Sequence, residues 1–323
     1  MGLIHADLCS RGPPHAGPGM KMKKRLLHSL LLPLLLTACE DTAPLPETDG
    51  AERTRLHIQL RNEAAQEDIQ VFSFHTQSPC VIDSYRRMSS RYEGFETGTG
   101  ERIVAVVLNG PDLSAVADFE ALFHWHYTLG SGDDPATHPL CFGFGHQVID
   151  RSTRLIPVEV TIQTGRITVL RIANRLDGRQ DIESLQLFLA NAAGDGLLGS
   201  DYLETAVPIH PDGVGVTPES PAWAAVTLGA LTYGATLAGP YYLYSCPTPR
   251  DWEPWLVLAA RISGRIWYYN IPLSPIEKGV SQQVSVTLRT LGADRPCVDN
   301  EPGSYDLLHS PVAWTLIHAS ETI

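Results

Sequence analysis

The chain has 323 residues, of which 36 are acidic and 24 are basic, and its formal charge is −12. Aromatic residues make up 8% and charged residues 19% of the chain, which indicates a globular protein, since disordered chains are poorer in apolar residues and richer in charge. The length allows one large domain or two ordinary ones. The acidic balance argues against a nucleic-acid partner, because binding a phosphate backbone requires a basic surface.

The first 38 residues differ from the rest of the chain. Three of the four lysines lie there, at positions 21, 23 and 24, and a mostly apolar run of 11 residues follows at 26–36. This order is typical of a bacterial export signal, and the run is too short to span a bilayer, which takes roughly 20 residues. We expect the true start codon to be Met20 or Met22, which makes residues 1–19 an upstream extension.

The export signal ends in Leu-Thr-Ala-Cys at 36–39, which matches the signal of a bacterial lipoprotein. We therefore expect Cys39 to be acylated, to become the mature N-terminus and to hold the protein at a membrane. Residues 39–50 are polar, contain proline and lack periodicity, so they form a tether between the lipid and the folded body.

Four further cysteines lie in the body, Cys80, Cys141, Cys246 and Cys297. An exported protein meets an oxidising environment, which permits disulfides. The pairing consistent with the domain division below is Cys80–Cys141 and Cys246–Cys297, although four cysteines allow three connectivities. Free buried thiols are an equally good interpretation.

Period-two alternation dominates the first half of the body. Residues 55–61 alternate polar and apolar side chains and place Leu56, Ile58 and Leu60 on one face, which predicts a half-buried strand. Residues 103–108 form an unbroken apolar run, as in a strand buried on both faces. One helix is predicted from an N-cap at Asp112 to about His124.

The second half continues the pattern. Residues 256–262 and 266–272 flank Ser263 and Gly264, which predicts a hairpin. Val312, Trp314 and Leu316 alternate in a last strand. Many short strands, breakers between them and a single helix predict an all-β protein. Because the chain is too long for one small sandwich, we expect two tandem β-sandwiches with a boundary near residue 160.

Several motifs occur in an order that resembles the Bacteroidales fimbrillin superfamily of pilus subunits. No motif is specific by itself, but the ordered set spans most of residues 55–318. A Cys at 246, where many members have Asn nearby, and the FHWHY patch at 123–127 depart from the family pattern. The motifs are VAVVLNGPD at 104–112, TGRITVLRIAN at 164–174, LFLANAAG at 187–194, YYLYSCPT at 241–248, GRIWYYNIPL at 264–273, PIEKG at 275–279 and LGADRP at 291–296.

The resemblance implies two tandem transthyretin-like β-sandwiches, at 51–160 with one short helix and at 161–302, followed by a C-terminal tail at 303–323. It also implies a fimbrial lipoprotein of the outer membrane, carrying palmitate, exposed at the cell surface and contributing to adhesion. The implied partners are other fimbrial subunits, the membrane, and host or bacterial surface ligands.

The resemblance further implies assembly by strand exchange, in which a protease cuts after an arginine and a neighbour's C-terminal strand replaces the first strand. The candidate cleavage sites are Arg55 and Arg61. The displaced strand would be that of Leu56, Ile58 and Leu60, and the donor strand that of Val312, Trp314 and Leu316. The tail could instead be the last strand of its own sandwich, and the arginines could be ordinary surface charges.

Two other functions remain open from the sequence. One is a fimbrial anchor or tip protein that does not polymerise. The other is a glycan-binding surface lipoprotein that stacks sugars on Trp252, Trp255 and Trp267.

We predict no catalytic residues, because G-x-S-x-G, P-loop and dinucleotide-binding motifs are absent from the sequence. We also predict no metal and no cofactor, since the histidine group at 124, 126, 138 and 146, with Asp133 and Asp134 nearby, lacks a recognised ligand spacing. The acidic loop at 177–183 is interpreted as a solvated turn rather than a calcium site.

Overall fold

The computed structural model describes residues 52–61, 68–90, 92–130, 133–213, 220 and 222–314. Cys39, the export signal and the tether lie outside these ranges. No helix in the described ranges is long and apolar enough to cross a membrane.

The strands up to residue 162 form a first β-sandwich. One sheet has the order β4-β1-β8 and the other the order β3-β2-β5-β7-β9. The elements are β1 (Arg53–Arg61), β2 (Ile69–His75), β3 (Ile82–Met88), β4 (Phe95–Gly98), β5 (Gly100–Leu108), α1 (Phe119–Phe123), β6 (His126–Thr128), β7 (Cys141–Ile149), β8 (Leu155–Glu159) and β9 (Thr161–Ile162).

The core of the first sandwich lies between these two sheets. β5 is buried along most of its length because β2 and β7 flank it and both of its faces are covered, as its unbroken apolar run predicts. β1 and β8 alternate buried and exposed residues, so they cover the core with one face each. Met88, Phe95, Val104, Ile149 and Ile156 belong to the same buried cluster.

The one α-helix in the described ranges, α1, is shorter than the sequence predicts. It spans Phe119–Phe123, and its N-cap is Asp118, whose Oδ1 accepts a hydrogen bond of 2.7 Å from the Ala121 amide. The predicted cap, Asp112, instead accepts from the Ser114 amide in a turn. Leu113, whose spacing suggests a first helical turn, is held by a tertiary contact instead. Its amide donates to the buried Gln70 Oε1 at 3.0 Å.

A second β-sandwich begins at Gly165. Its sheets have the orders β16-β10-β19-β20 and β15-β11-β17-β18. The strands are β10 (Gly165–Asn174), β11 (Ser184–Ala190), β12 (Ala192–Ala193), β13 (Asp195–Leu197), β14 (Pro208–Ile209), β15 (Ala225–Thr227), β16 (Thr236–Ser245), β17 (Trp255–Ile262), β18 (Arg265–Pro272), β19 (Val280–Leu288) and β20 (Tyr305–Ala313). Two 3₁₀ turns lie at Asp177–Arg179 and Pro211–Gly213.

The predicted hairpin is confirmed. β17 and β18 pair antiparallel with Ile262 opposite Arg265, so the turn consists of Ser263 and Gly264 alone. Both have positive φ, at 50° and 77°, which is the combination that a two-residue turn needs to match the twist of its strands.

Residues 305–313 are not a spare tail. β20 pairs antiparallel with β19 from Tyr305 opposite Leu288 to Ala313 opposite Val280 and forms one edge of its sheet. The division between a domain at 161–302 and a separate tail is therefore corrected, because the strand that follows residue 302 completes the second sandwich. Leu316 lies outside the described residues.

The two sandwiches are joined by a strand pair and by a lysine. β6 pairs antiparallel with β13 across the junction. Lys278 Nζ donates to Gln163 Oε1 at 2.6 Å and to the carbonyl oxygens of Leu197 and Leu198 at 2.8 Å each. All three ammonium hydrogens are thus used to hold β13 and the segment between β9 and β10 together.

The predicted disulfide pairing is wrong, since Cys141, Cys246 and Cys297 are free thiols. Cys141 is the first residue of β7 and lies opposite Leu108, the last residue of β5. Cys80 precedes β3 and lies at the opposite end of the same sheet. The register places the two at least about 17 Å apart along the strands, and a disulfide needs Cα atoms within about 7 Å.

The second pair is separated by the core of its sandwich. Cys246 follows β16 in one sheet and its amide donates to the Ala193 carbonyl. The Cys297 amide donates to Asn270 Oδ1 on β18 of the opposite sheet. Burial raises the pKa of Cys141 to about 12 and that of Cys297 to about 11, so neither is a reactive thiolate at neutral pH.

Candidate functional site: the first and last strands

β1 has the alternation predicted for it. Leu56, Ile58 and Leu60 are 0%, 4% and 8% exposed, while His57 and Gln59 between them are exposed. This arises because successive side chains of a strand point to opposite faces, and only one face of β1 meets the core.

β1 is the middle strand of its sheet, yet it is bound to each neighbour over only half of its length. Arg53 to Leu56 pair antiparallel with β4, and the residues from His57 to Arg61 pair parallel with β8. Removal of β1 would therefore separate β4 from β8. It would also uncover apolar residues of the core and free the backbone groups of both neighbours, which a new strand of the same alternation could cover again.

The two candidate cleavage sites occupy different positions on β1. Arg55 lies within the strand opposite Glu96, and its exposed side chain covers Gly94, where a Cβ would clash with it. Arg61 is the last residue of β1, opposite Glu159. A cut after Arg61 would detach the whole strand, whereas a cut after Arg55 would leave Leu56 and the buried residues after it in place.

At the other end of the chain, the predicted donor residues differ in exposure. Val312 is 37% exposed on β20, opposite Ser281. Trp314 directly follows β20 and is 5% exposed, and its amide donates to the Gly279 carbonyl at 2.7 Å. Trp314 belongs to the same buried cluster as Leu56.

Trp314 lies in an aromatic cluster that the sequence analysis missed. Its ring is 5.6 Å from that of Tyr244, and the Arg166 guanidinium lies 4.5 Å from the Trp314 ring centre and 4.9 Å from that of Tyr242. Burial lowers the pKa of Arg166 and raises that of Tyr244 to about 12. The YYLYSCPT motif carries part of the family resemblance, but no local pattern indicates that its tyrosines contact Trp314.

The histidine group does not assemble into a metal site in the described part of the chain, which contains no set of three or more potential ligands. His126 faces Asp195 at 3.9 Å, and His124 Nδ1 lies 3.1 Å from the Glu120 carbonyl. Asp134 accepts hydrogen bonds from Ala136 and Thr137 within its own turn. These groups therefore have local structural partners.

The acids of the 177–183 loop also bond to protein groups. Asp181 Oδ1 accepts from the Tyr233 amide at 2.7 Å, and Glu183 Oε1 accepts from the Gly264 amide at 2.9 Å.

The three tryptophans do not form a common platform for sugars. Trp255 is 9% exposed and packs with Phe188 in a buried cluster. Arg265 covers the Trp267 ring at 4.3 Å. Trp252 is only partly exposed, in the turn before β17.

Solved structures similar to this chain include a cell adhesion candidate and two fimbrial proteins. One is a candidate cell adhesion protein from Bacteroides eggerthii, with 14% identity, a TM-score of 0.65, and coverage of 82% of this chain and 97% of that one. A fimbrilin, FimA, from Porphyromonas gingivalis has 10% identity, a TM-score of 0.59, and coverage of 82% and 98%. The tip fimbrial protein Mfa3 from Porphyromonas gingivalis, with a C-terminal truncation, has 10% identity, a TM-score of 0.50, and coverage of 81% and 100%.

These likenesses establish the fold. The described residues have the fimbrillin-like architecture of two tandem β-sandwiches with one short helix in the first, as the motif order predicted. No protein-family model and no curated protein sequence matches the chain.

Proposed function

We propose that this protein is a structural subunit of a cell-surface fimbria that contributes to adhesion and is assembled by protease-triggered strand exchange. The observation that carries the proposal is the position of β1, which is the middle strand of its sheet, fills the core with Leu56, Ile58 and Leu60, and ends at an arginine. The fimbrillin-like fold supports it.

Release of β1 is the first step of the proposed exchange. A cut after Arg61 detaches the strand, and the groove between β4 and β8 then exposes apolar side chains and unpaired backbone groups to water. Both are unfavourable, so the cut subunit gains by accepting a strand from a neighbour.

The end of the tail carries a matching sequence pattern. The buried face of β1 reads Thr54, Leu56, Ile58 and Leu60, one polar residue followed by three apolar ones. The alternate residues of the tail repeat this order as Ser310, Val312, Trp314 and Leu316. A strand with this alternation can enter the groove without burying unpaired polar side chains.

Donation requires the end of β20 to leave β19. The exchange then replaces one set of backbone hydrogen bonds by another, and the free energy gained comes from filling the groove of the neighbour. Release of Val312 from β19 exposes little additional apolar surface, because Val312 is already partly exposed in the uncut subunit.

The proposed location is the outer-membrane surface, reached through acylation of Cys39. The proposed partners are other copies of this chain or related fimbrial subunits, together with surface ligands of host or bacterial cells. No catalytic role is part of this proposal.

An assembly assay with purified protein tests the proposal. Treatment of the mature protein with an arginine-specific protease should produce ladders that resist mild detergent, and Arg61→Ala should suppress them while Arg55→Ala does not. Val312→Asp should also block the ladder, because it places a charge on the donor face, whereas Leu308→Asp, on the same face but nearer the start of β20, should not. Ladders that persist in both Arg61→Ala and Val312→Asp would contradict the mechanism.

A second function, a non-polymerising anchor or tip protein, is favoured by one observation. The pairing of β20 with β19 and the burial of Trp314 give the tail a stable place in its own chain. Immunogold electron microscopy separates the two functions, since a stalk subunit labels the whole filament and an anchor or tip protein labels one end.

A further inference from the structure

A cavity of about 590 Å³ opens where the two sandwiches meet, and we call it the junction cavity. One wall comes from β7, β8 and β9, and the other from the segments that follow β13, β16 and β18. Its volume lies in the range of ligand-binding clefts, which are about 300–1,000 Å³ and usually combine apolar surface with a few directed polar groups.

The floor of the junction cavity is buried and fixed. Phe142, Leu198 and Ile276 are 5%, 2% and 2% exposed. Lys278 and Gln163 also line it, and their hydrogen bond, together with the two bonds from Lys278 to β13 and the residue after it, holds both walls in position. The lysine is therefore a positioning residue, whose ammonium hydrogens are already used.

The rim is exposed and its polar groups are available. The side chains of Glu159, Asp201, Glu277 and Arg250 line the opening, and none of them has a hydrogen bond or ion pair with another described residue. They supply three carboxylate acceptors and one guanidinium donor directed toward solvent.

An aromatic ring stands beside these groups. Phe144 lines the junction cavity and is 42% exposed, and its ring is held edge-on by Phe119 at 5.0 Å and by Phe123 at 5.9 Å. Tyr202, on the opposite wall, adds a partly exposed phenol. Aromatic rings of this kind pack against the apolar face of a sugar ring.

The charges select the class of ligand. Three carboxylates outnumber the two cationic groups, Arg250 and Lys278, so the cavity lining repels an anionic ligand. A neutral polyhydroxyl compound avoids this repulsion and matches both kinds of group on the rim, because its hydroxyl groups donate to the carboxylates and accept from the guanidinium. We propose that the junction cavity binds a neutral sugar unit of a glycan, with Phe144 as the stacking surface and Glu159 as a hydroxyl acceptor.

This inference is independent of polymerisation, so its failure and that of the proposed function can be told apart. The mature full-length protein would be applied in detergent to an array of neutral and sialylated oligosaccharides. Calorimetric titration with the neutral oligosaccharide that binds best would follow. We expect binding to neutral oligosaccharides, weakened at least tenfold by Phe144→Ala and by Glu159→Gln.

Val148→Ala is the matched control, because Val148 lies on the same face of β7 as Phe144, is 74% exposed and does not line the cavity. It should leave the affinity unchanged. Glu159→Gln removes only the charge of an exposed, unbonded side chain, so loss of binding in this variant would not reflect misfolding. Absence of binding to neutral oligosaccharides, preference for sialylated ones, or unchanged affinity in both cavity variants would overturn the proposal.

Discussion

The Arg166 guanidinium lies 4.5 Å from the centre of the Trp314 ring. This contact connects the first strand of the second sandwich with the residue that follows its last strand, and Tyr244 completes the cluster from the neighbouring β16. A cation over an indole ring is stabilised by about 0.5–2 kcal/mol, more when it is shielded from water. The end of the chain is thus held by a specific contact as well as by the pairing of β20.

Trp314→Ala should destabilise the uncut protein. Removing a buried tryptophan leaves a cavity and costs about 3–5 kcal/mol of unfolding free energy, whereas Val312→Ala, at a partly exposed site two residues earlier, should cost less than about 1 kcal/mol. Urea denaturation followed by circular dichroism measures both. Equal stability of the two variants would mean that Trp314 is not part of the core of its own chain.

The buried Lys278 should make stability depend on pH above neutrality. Burial lowers its pKa from 10.5 to about 8, so between pH 8 and 10.5 the unfolded chain binds the proton and the folded chain does not. The contribution of Lys278 to stability should therefore rise with pH in this window, by at most about 1.4 kcal/mol per pH unit. Because tyrosines and cysteines titrate nearby, the quantity to measure is the difference in unfolding free energy between wild type and Lys278→Met. A difference that stays constant from pH 8 to 10.5 would refute this.

The free thiols should differ in reactivity. Cys141 and Cys246 are buried and have raised pKa values, so a maleimide reagent should label them only in urea, while the half-buried Cys297 should react slowly in the native protein. Peptide mass spectrometry without reductant locates each label. If Cys141 or Cys246 stayed unlabelled in urea until a reductant was added, that cysteine would be in a disulfide.

Acylation of Cys39 remains a prediction from the sequence. Mass spectrometry of the mature protein should find an N-terminal cysteine that carries acyl chains, and Cys39→Ser should release the protein from the membrane fraction. An unmodified terminus at another residue would contradict the lipoprotein signal.

Local patterns predicted the strands well but not the helix. The alternation in β1 and the Ser-Gly turn of the β17–β18 hairpin depend on neighbouring residues alone, so period and turn chemistry were enough. The helix was predicted too long because Leu113 and Val116 have helical spacing, yet both are buried outside the helix, which begins only at Phe119. Leu113 and Val116 are apolar because tertiary contacts bury them, and their spacing happens to match that of a helix.

The sequence by itself determined the two β-sandwiches and the buried face of β1, because alternation, breakers and motif order are properties of short stretches of chain; the export signal stays a prediction. Only the tertiary structure decided the place of the tail, the separation of the cysteines and the junction cavity. β20 pairs with β19, and the predicted cysteine partners lie at opposite ends of one sheet or in opposite sheets. Lys278 forms a hydrogen bond with Gln163, which lies 115 positions earlier in the sequence. Such contacts depend on how distant strands are registered and stacked, which no local pattern encodes.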